Sequence, residues 1–392
     1  MLQQFLGVVN IVGELRQEVI SKRRKKIGLP EKYLYTKDTK SIYYVDFVNR
    51  ELILSSNADN VRSIPSLVDG VEPGQRKVLF TCIKRNDKKE VKVAQLSGSV
   101  AEHLAYHHGE VCLCTTIVSL AQLARLAGGK DYASPRYIFT KMSPLTRLIF
   151  HPSDDSLLKH EYDDNQKIEP VWYIPIIPMI LVNGADGIGT GWMTKIPNYN
   201  PRETVQNLRI MLDGDDELVP MIPWYKNFRG TIEDCGNQQR YVISGEIAII
   251  GNDKVEITEL SIGTWTQNYK ENVLEPLLHD ITVKFVVTCK PGLLVKLKKD
   301  SLHKVLKLQS VTHTTSMCAF DELGCLRTFE SVIDILQEFY TLLLKMYEKR
   351  KDYLEGFLEA EAAQLCNQAR FIVEKCSRDL VVENKKRKTI AD

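Results

Sequence analysis

The amino-acid sequence predicts an α+β protein of several domains that ends in a long helix. The first observation is length, because 392 residues are too many for one hydrophobic core and favour two or three domains. The second is composition, since 44% hydrophobic and 26% charged residues are values of a folded globular protein. The third is a change of pattern near residues 215 and 325, where mixed segments give way to short alternating ones and then to a helical repeat.

The first two regions of the chain are predicted to be a linker region, 1–60, and a mixed domain, 61–214. A helix is expected at Glu14–Lys26, where a basic cluster is followed by a glycine and a proline that end it. In the mixed domain, helical patterns occur at Ser99–Tyr106 and Val111–Leu126, and glycine-rich turns interrupt them.

The region 215–325 alternates apolar and polar residues over short segments separated by turn residues. This pattern predicts strands, and the four clearest segments are Tyr241–Ser244, Glu246–Ile250, Val255–Leu260 and Thr282–Thr288.

The last region, 326–392, contains a helical pattern from Phe329 to about Cys376. Apolar residues recur there at three- and four-residue steps, with no proline and with Gly356 as the one glycine. A projecting arm that pairs with another helix is the favoured interpretation, and a single long packed helix is the alternative. The basic run Lys385–Lys388 is either a solvated terminus, a DNA contact or a nuclear import signal.

Charge and cysteine content restrict the function classes only weakly. The net charge is +2, so any surface that binds nucleic acid has to come from local clustering of basic residues. Nine dispersed cysteines are typical of buried thiols in a reducing compartment. The longest apolar run, Ile174–Val182, contains two prolines and is too short to span a bilayer, so no membrane association is expected.

Several segments, taken in order, resemble one known family. They are residues 62–70 (RSIPSLVDG), 73–80 (PGQRKVLF), 92–96 (KVAQL), 105–110 (AYHHGE), 128–140 (GGKDYASPRYIFT), 172–178 (WYIPIIP), 183–192 (NGADGIGTGW) and, in broad outline, 367–384. Each motif alone is weak, but the ordered set is similar to the central breakage-reunion region of eukaryotic DNA topoisomerase II, a type IIA enzyme.

The resemblance implies a fold and an activity. The fold would be a winged-helix domain carrying the catalytic tyrosine at 61–214, a mixed α/β tower domain at 215–325, and a truncated helical coiled-coil arm at 326–392. The activity would be that of an ATP-dependent type II DNA topoisomerase, an isomerase that breaks and rejoins duplex DNA by tyrosyl attack on a phosphate and so controls DNA topology.

The resemblance also assigns the central chemistry to Tyr137 and Arg136. A tyrosine suits reversible cleavage because its phenoxide can attack phosphorus and can later be expelled by the freed sugar hydroxyl. A guanidinium can hold two phosphate oxygens while negative charge builds up. Without the flanking motif, Tyr137 is one of 16 tyrosines and a structural role is the more frequent one.

Four further residues are expected near the DNA backbone. By resemblance His108 lies near the nucleophile and Arg76 adds positive charge close to the scissile phosphate, whereas paired histidines beside a glycine are otherwise more often a polar helix end. Lys77 and Lys92 are candidates for DNA phosphate contacts, although exposed lysines usually contact water alone. Such contacts would make binding salt-dependent and nearly independent of sequence.

Ile188 resembles the family's wedge residue, which inserts between bases and bends the DNA. Its surroundings, 187–191 (GIGTG), also look like a dinucleotide-binding fingerprint. The glycine spacing fails GxGxxG and the preceding apolar segment is broken by prolines, so a nucleotide site is rejected and no cofactor-binding residue is expected in this chain.

The family's cofactors, Mg²⁺ and ATP, are both expected to bind domains that this sequence does not contain. The acidic pairs Asp154/Asp155 and Asp163/Asp164 lack a third ligand at fixed spacing, so solvated loops are favoured for them and no metal ligand is predicted.

The expected partners are duplex DNA and a second chain, because each tyrosine cuts one strand. The second chain would form a homodimer or a mixed dimer with a full-length topoisomerase II, in the nucleus. Only 28 residues, 109 to 136, separate His108 from Tyr137, and the family usually carries a longer segment there. The shortening, marked by Leu123–Ala127, favours an alternative function as a non-catalytic DNA-binding or dimerisation fragment.

Overall fold

The computed structural model describes residues 39–122, 131–215, 217–236, 239–251, 254–274, 285–288 and 302–380. Backbone contacts divide the chain into two units, one of residues 1–60 with 189–191 and one of residues 61–188 with 192–392. The predicted helix Glu14–Lys26, the segment Leu123–Ala127 and the basic run Lys385–Lys388 lie outside the described residues.

The described part of the first unit is helical. Helix α1, Tyr44–Phe47, continues through a π-helical turn, Val48–Leu52, into α2, Ile53–Ser63, whose last residues belong to the second unit. Within the first unit, the Thr190 hydroxyl donates a hydrogen bond of 2.7 Å to the Asp59 carboxylate. This bond fixes the 189–191 segment to the helical part of its own unit.

The second unit begins with three helices and a two-residue strand pair. These elements are α3 (Pro73–Arg85), β1 (Val91–Lys92), α4 (Val93–His103), α5 (Glu110–Leu120) and β2 (Phe139–Thr140). Helix α3 starts at a proline with a capping box formed by Glu72 and Gln75, and it ends where Asn86 adopts a left-handed conformation. Their shared core contains Val93, Leu96, Val100, Leu104, Leu113 and Ile117.

Both helices predicted in this stretch are present, with different ends. The helix predicted at Ser99–Tyr106 begins earlier, at Val93, and ends at His103, because Ala105 adopts φ +49° and cannot continue a right-handed helix. The helix predicted at Val111–Leu126 ends at Leu120.

Short hairpins and helices follow in the second unit. They are α6 (Thr146–Ile149), β3 (His160–Asp163), β4 (Gln166–Pro170), α7 (Met179–Asn183), β5 (Ala185–Ile188), β6 (Met193–Ile196) and α8 (Pro201–Asp213). Strands β3 and β4 pair antiparallel through a two-residue turn in which Asp164 and Asn165 have φ of 42° and 72°. Two consecutive positive φ angles are typical of a tight hairpin turn, and Asp and Asn tolerate them.

The described part of region 215–325 contains two three-stranded antiparallel sheets. The first has the order β12-β8-β7, formed by β7 (Thr231–Asp234), β8 (Arg240–Ser244) and β12 (Gln309–His313). The second has the order β11-β10-β9, formed by β9 (Ile247–Ile249), β10 (Lys254–Ile257) and β11 (Phe285–Thr288). The four strands predicted here are present, and their ends among the described residues differ from the predicted ones by at most three residues. Helices α9 (Thr266–Tyr269) and α10 (Leu302–Val305) lie in the same region.

A hairpin leads into the long helix. It consists of β13 (Met317–Phe320) and β14 (Leu326–Phe329), and helix α11 spans Val332–Cys376. The 45 residues of α11 correspond to a length of about 68 Å. Its start is capped by Ser331 and Asp334, and its first turns are buried with Phe339 in a large core. Side chains beyond residue 350 are mostly exposed, so the long helix is confirmed, while its pairing with another helix stays a prediction.

Two sequence-based expectations are corrected. Asp154 is not solvated, because it is 2% exposed and forms an ion pair with Arg350 of α11, while Asp155 pairs with Arg147 at 2.6 Å. The cysteines are not uniformly buried. All the described cysteines are free thiols, and four of them are exposed: Cys235, Cys325, Cys366 and Cys376. Because the cysteines are dispersed along the chain, their spacing does not indicate which of them are buried.

Candidate functional site

Tyr137 lies on a turn whose backbone is fixed and whose side chain is exposed. The Tyr137 amide donates a hydrogen bond of 2.8 Å to the carbonyl of Ser134. The residues on both sides of Tyr137 are bound to the start of α4, because the amides of Val93 and Ala94 donate to the carbonyls of Ile138 and Pro135 at 3.0 and 3.1 Å. The phenol itself is 71% exposed, as a residue that attacks an external substrate has to be.

The start of α4 explains why this turn takes the shape it does. The first amides of a helix have no partner within the helix, and the Tyr137 turn supplies two carbonyls for them. Strand β2 follows immediately and pairs with β1 in the register Val91↔Thr140 and Lys92↔Phe139. Ile138 packs against the core of the three helices, so the turn is held by burial as well as by hydrogen bonds.

Cationic side chains surround this turn. Arg136, the residue before Tyr137, is exposed and forms no ion pair with any residue that the structure describes. Lys92 is exposed too, and its Nζ lies 5.8 Å from the centre of the Phe139 ring, two residues after Tyr137. The positive end of the α4 dipole points toward the same turn. The arrangement therefore offers positive charge to an anion that approaches the Tyr137 phenol.

His108 lies between α4 and α5, in a segment bounded by two left-handed residues. Ala105 has φ +49° and Gly109 has φ +90°, so the chain reverses sharply around the imidazole. Its ring contacts those of Tyr106 and His107 at centroid distances of 5.6 and 4.2 Å. Partial burial lowers the pKa of His108, and the charges of neighbouring basic residues lower it further. A neutral imidazole can accept a proton.

Arg62 belongs to this site and was not selected from the sequence. Its guanidinium is exposed, lies 3.7 Å from the Cys112 sulfur, and lowers the pKa of His108. Burial and a hydrogen bond with Cys112 raise the pKa of Tyr106 to about 12, so that phenol stays protonated. The sequence signal for Arg62 is its position as the first residue of the motif 62–70, one of the segments that carry the resemblance.

Arg76 is buried in an ion pair. Its Nε and Nη2 donate to the two carboxylate oxygens of Asp69 at 2.7 and 2.9 Å, and Nη2 also donates to the carbonyl of Val71. Burial alone would lower the pKa of this guanidinium, but the Asp69 carboxylate outweighs it and the pKa is raised. Asp69 also accepts the Tyr173 amide. A phosphate contact by Arg76 would require breaking this pair, so its role in this conformation is structural.

Lys77 is similarly engaged. Its Nζ lies 2.6 Å from Oε1 of Glu169 and donates a 2.7 Å hydrogen bond to the carbonyl of Leu104, at the end of α4. The predicted phosphate contact of Lys77 would have to compete with both partners. Sequence reasoning treats Lys77 and Lys92 alike, whereas in the structure Lys77 is half-buried and Lys92 is exposed.

Ile188 is the last residue of β5 and is 78% exposed, which is unusual for a branched apolar side chain and suits an insertion wedge. The hairpin that carries it depends on Gly187, because a Cβ atom there would lie 1.9 Å from the carbonyl oxygen of Ser63. Glycine is thus required for the close approach of the two backbones, and no phosphate-cradling loop needs to be invoked.

The predicted site residues do not all lie together in the structure. Tyr137 and Arg136 lie at the start of α4, whereas His108 follows its other end and is grouped with Arg62 and Lys77. Between the described residues there is no direct hydrogen bond from the Tyr137 hydroxyl to His108. The arrangement therefore consists of an exposed nucleophile with one set of cations, and a histidine with another.

The described residues do not provide a set of metal ligands. Across the ranges that the structure covers, no three His, Cys, Asp or Glu side chains converge, and the acidic pair at 154 and 155 is engaged by arginines. This part of the chain does not fit Mg²⁺, which prefers carboxylate oxygens in octahedral geometry. No helix among the described residues has the length and apolarity to cross a bilayer.

Comparisons with known proteins agree with the architecture. Residues 62–392 match the family of the DNA gyrase/topoisomerase IV A subunit. DNA topoisomerase 2 of Bombyx mori is 61% identical over 404 residues, and DNA topoisomerase 2-alpha of Homo sapiens is 54% identical over 403 residues. These alignments cover 95% and 94% of this chain but 26% of each relative, so the chain spans about a quarter of their length.

A solved structure of a topoisomerase II domain has a similar fold. The crystal structure of the Plasmodium falciparum topoisomerase II DNA-binding, cleavage and re-ligation domain superposes with a TM-score of 0.81 at 43% identity, over 91% of this chain and 53% of that one. The Bombyx mori alignment has 404 positions and covers 95% of this chain, about 372 of its 392 residues, so about 32 positions of the relative have no counterpart here. The chain belongs to the family of the DNA gyrase/topoisomerase IV A subunit, and its resemblance to the breakage-reunion region of eukaryotic type II topoisomerases is confirmed.

Proposed function

We propose that this chain carries the breakage-reunion step of a type II DNA topoisomerase, with Tyr137 as the nucleophile. The observation that supports this most directly is the Tyr137 turn, where a fully anchored backbone presents a solvent-exposed phenol beside Arg136 and Lys92. A rigid support limits the loss of rate that misplacement of a reacting atom causes, which reaches on the order of a hundredfold for 1 Å.

The proposed step exchanges one phosphoester for another. The Tyr137 oxygen loses its proton and forms a bond to phosphorus while the bond between phosphorus and the sugar oxygen breaks, and the leaving sugar oxygen takes up a proton from water, so the number of protons is unchanged. The phenolic proton passes to a base, for which the neutral imidazole of His108 is the candidate once DNA brings the two groups together. Religation is the reverse, and the two steps together neither gain nor lose a phosphodiester bond.

The surrounding cations would act on the phosphate. Arg136 and Arg62 are exposed guanidiniums that can each engage two phosphate oxygens, and Lys92 adds a point charge. Ile188 would act at a distance from the cleavage step, by inserting between bases so that the duplex bends onto the protein. Arg76 and Lys77 would contribute through the shape of the site, unless DNA binding releases them from their carboxylates.

Family membership implies Mg²⁺ and ATP as cofactors. Mg²⁺ would stabilise charge on the attacking and leaving oxygens, and we propose that both cofactors bind parts of the assembly outside this chain. We also propose a winged-helix domain at 61–214, a tower domain at 215–325 and a coiled-coil arm at 326–392. Duplex DNA, a second chain and a nuclear location complete the proposal, since two tyrosines are needed to cut two strands.

A non-catalytic DNA-binding or dimerisation module is the second candidate. It is favoured by the positions of the Bombyx mori relative that have no counterpart here, about 32 of 404. If some of them fall in the short segment between His108 and Tyr137, the two groups are held less precisely than in the relatives.

A denaturing-gel assay for covalent protein–DNA adducts separates the two candidates. The chain, Tyr137→Phe and the control Tyr162→Phe would each be incubated with duplex DNA and Mg²⁺, alone and with the metal-binding domain of a related enzyme. An adduct lost in Tyr137→Phe and kept in Tyr162→Phe establishes the nucleophile. DNA binding without an adduct under either condition would instead assign the chain to the binding-module class.

A further inference from the structure

Glu169 is a buried carboxylate that the chemistry proposed above does not use. It lies on β4, is 7% exposed, and its Oε1 is 2.6 Å from Nζ of Lys77. Its Oε2 is buried and accepts no hydrogen bond from any residue that the structure describes. Burying a carboxylate with one oxygen unpaired is unfavourable, so the contact with Lys77 has to compensate.

Lys77 in turn holds the end of α4. Its ammonium donates to the carbonyl of Leu104, the last carbonyl before the left-handed Ala105. The chain reverses there and reaches His108 three residues later. The position of the Lys77 ammonium therefore determines how the segment carrying the imidazole leaves the helix.

We propose that Glu169 is a positioning residue for the Tyr137 reaction: by holding the Lys77 ammonium against the Leu104 carbonyl, it fixes the turn that presents His108. The proposal rests on the proposed function for its catalytic meaning. A lysine side chain has several rotatable bonds, so without a fixed counter-charge it would sample other directions and release the Leu104 carbonyl.

The electrostatics of the turn provide a readout that is independent of DNA cleavage. The groups that act on His108 are Arg62 from α2, Lys77 from α3 and the adjacent His107, together with burial, and all four lower its pKa. The carboxylate of Glu169 offsets the charge of Lys77. Without that carboxylate to hold it, the Lys77 ammonium leaves the turn, so one of the charges that lower the pKa of His108 is lost and the pKa rises.

The first test is the titration of His108 by NMR in the whole chain with labelled histidine, assigned with His108→Gln. The variant Glu169→Gln keeps the size of the side chain, and Glu161→Gln, an exposed acid on the neighbouring strand β3, is the matched control. We expect the His108 midpoint to move to higher pH in Glu169→Gln alone, because the released Lys77 ammonium moves away from the imidazole. A downward shift would show that Lys77 stays beside the imidazole without Glu169, which contradicts the proposal. An unchanged midpoint in a folded Glu169→Gln protein overturns the proposal.

The second test concerns the reaction. In the adduct assay we expect Glu169→Gln to slow adduct formation by at least about tenfold, and Lys77→Met with Glu169→Gln to be no slower than Lys77→Met alone. Equal rates for Glu169→Gln and Glu161→Gln would overturn the link to chemistry. If the unmodified chain forms no adduct under any condition, the proposed function fails, while the NMR titration still decides whether Glu169 places the His108 turn.

Discussion

The ion pair between Asp154 and Arg350 predicts how firmly the long helix is attached to the rest of its unit. Asp154 precedes β3 and is 2% exposed, and both of its carboxylate oxygens accept hydrogen bonds from Arg350 of α11. The guanidinium also lies over the ring of Tyr347, with its carbon 4.5 Å from the ring centre. Beyond residue 350 the helix is mostly exposed, so this pair is the last buried polar contact along α11 among the described residues.

The perturbation is Asp154→Asn, which keeps the volume of the side chain and removes its charge. Removing one partner of a buried ion pair costs about 3–5 kcal/mol because the other charge is left without compensation. The Arg350 side chain is 21% exposed and can recruit water, which reduces the expected cost to about 2–3 kcal/mol. In Arg350→Met the buried Asp154 carboxylate is stranded instead, so that variant should cost more than Asp154→Asn.

Native-state hydrogen exchange of the α11 amides is the suitable assay, because a chain with several cores does not unfold in a single two-state step. A loss of about 2–3 kcal/mol corresponds to exchange roughly 30- to 150-fold faster in the last buried turns of α11. The control is Asp163→Asn, an exposed acid at the β3–β4 turn that makes no ion pair with the described residues. Protection within about threefold of the unmodified chain in both Asp154→Asn and Arg350→Met would refute the reasoning.

Three further predictions concern the elements that are proposed to contact DNA. Gly187→Ala places a Cβ 1.9 Å from the Ser63 carbonyl, so we expect a loss of about 1–3 kcal/mol in local stability, seen by native-state hydrogen exchange of the β5–β6 hairpin. Ile188→Ala should leave stability within about 0.5 kcal/mol but reduce the bend of a bound duplex, measured by end-to-end FRET. Lys92→Ala should weaken DNA binding and lower the slope of log Kd against log salt by about one.

Control variants and contradicting outcomes can be named for these three predictions. Gly98→Ala, on α4, places its Cβ in open space and should be neutral or slightly stabilising; equal losses at both glycines would contradict the close-contact argument. Ile249→Ala, at an exposed residue of β9, controls for loss of an apolar side chain, and equal bending in both isoleucine variants would remove the wedge role. An unchanged salt slope in Lys92→Ala would show that this lysine does not meet phosphate.

The elements that the sequence predicted well are those with a repeated pattern. The 45-residue helix α11 repeats its apolar residues over many turns, and the strands between 240 and 288 alternate cleanly, so local periodicity sufficed. Helix α7, Met179–Asn183, was not predicted, because five residues are too few to show a helical period and two prolines precede it. The C-terminal end of α4 is not predicted because the left-handed conformation of Ala105 has no signal in the composition.

Some of the residues predicted for the candidate site are exposed in the structure, and others are buried or half-buried. The resemblance selected Tyr137 and Arg136, and the structure shows both exposed on an anchored turn. It selected Arg76 with equal weight, yet Arg76 is paired with Asp69 in the interior. An arginine that binds phosphate and one that closes a core look identical in a sequence, because the difference is made by a carboxylate seven residues away and by burial. Arg62 is not identified from the sequence because its neighbours Cys112 and His108 are distant from it in the chain and come close to it only in the fold.

The basic residues of the candidate site, between positions 62 and 136, fall into two groups, which are expected to respond differently to substitution. Arg62, Lys92 and Arg136 are exposed, so their removal should alter the salt dependence of DNA binding and leave folding intact. Arg76 and Lys77 compensate buried carboxylates, so their removal should lower stability and leave the salt slope nearly unchanged. If Arg76→Met lowered the salt slope as much as Lys92→Ala, DNA binding would have to open the buried pair with Asp69. The ion pair would then be a reserve of positive charge that DNA releases, and Arg76 would return to the set of phosphate ligands that the sequence first indicated.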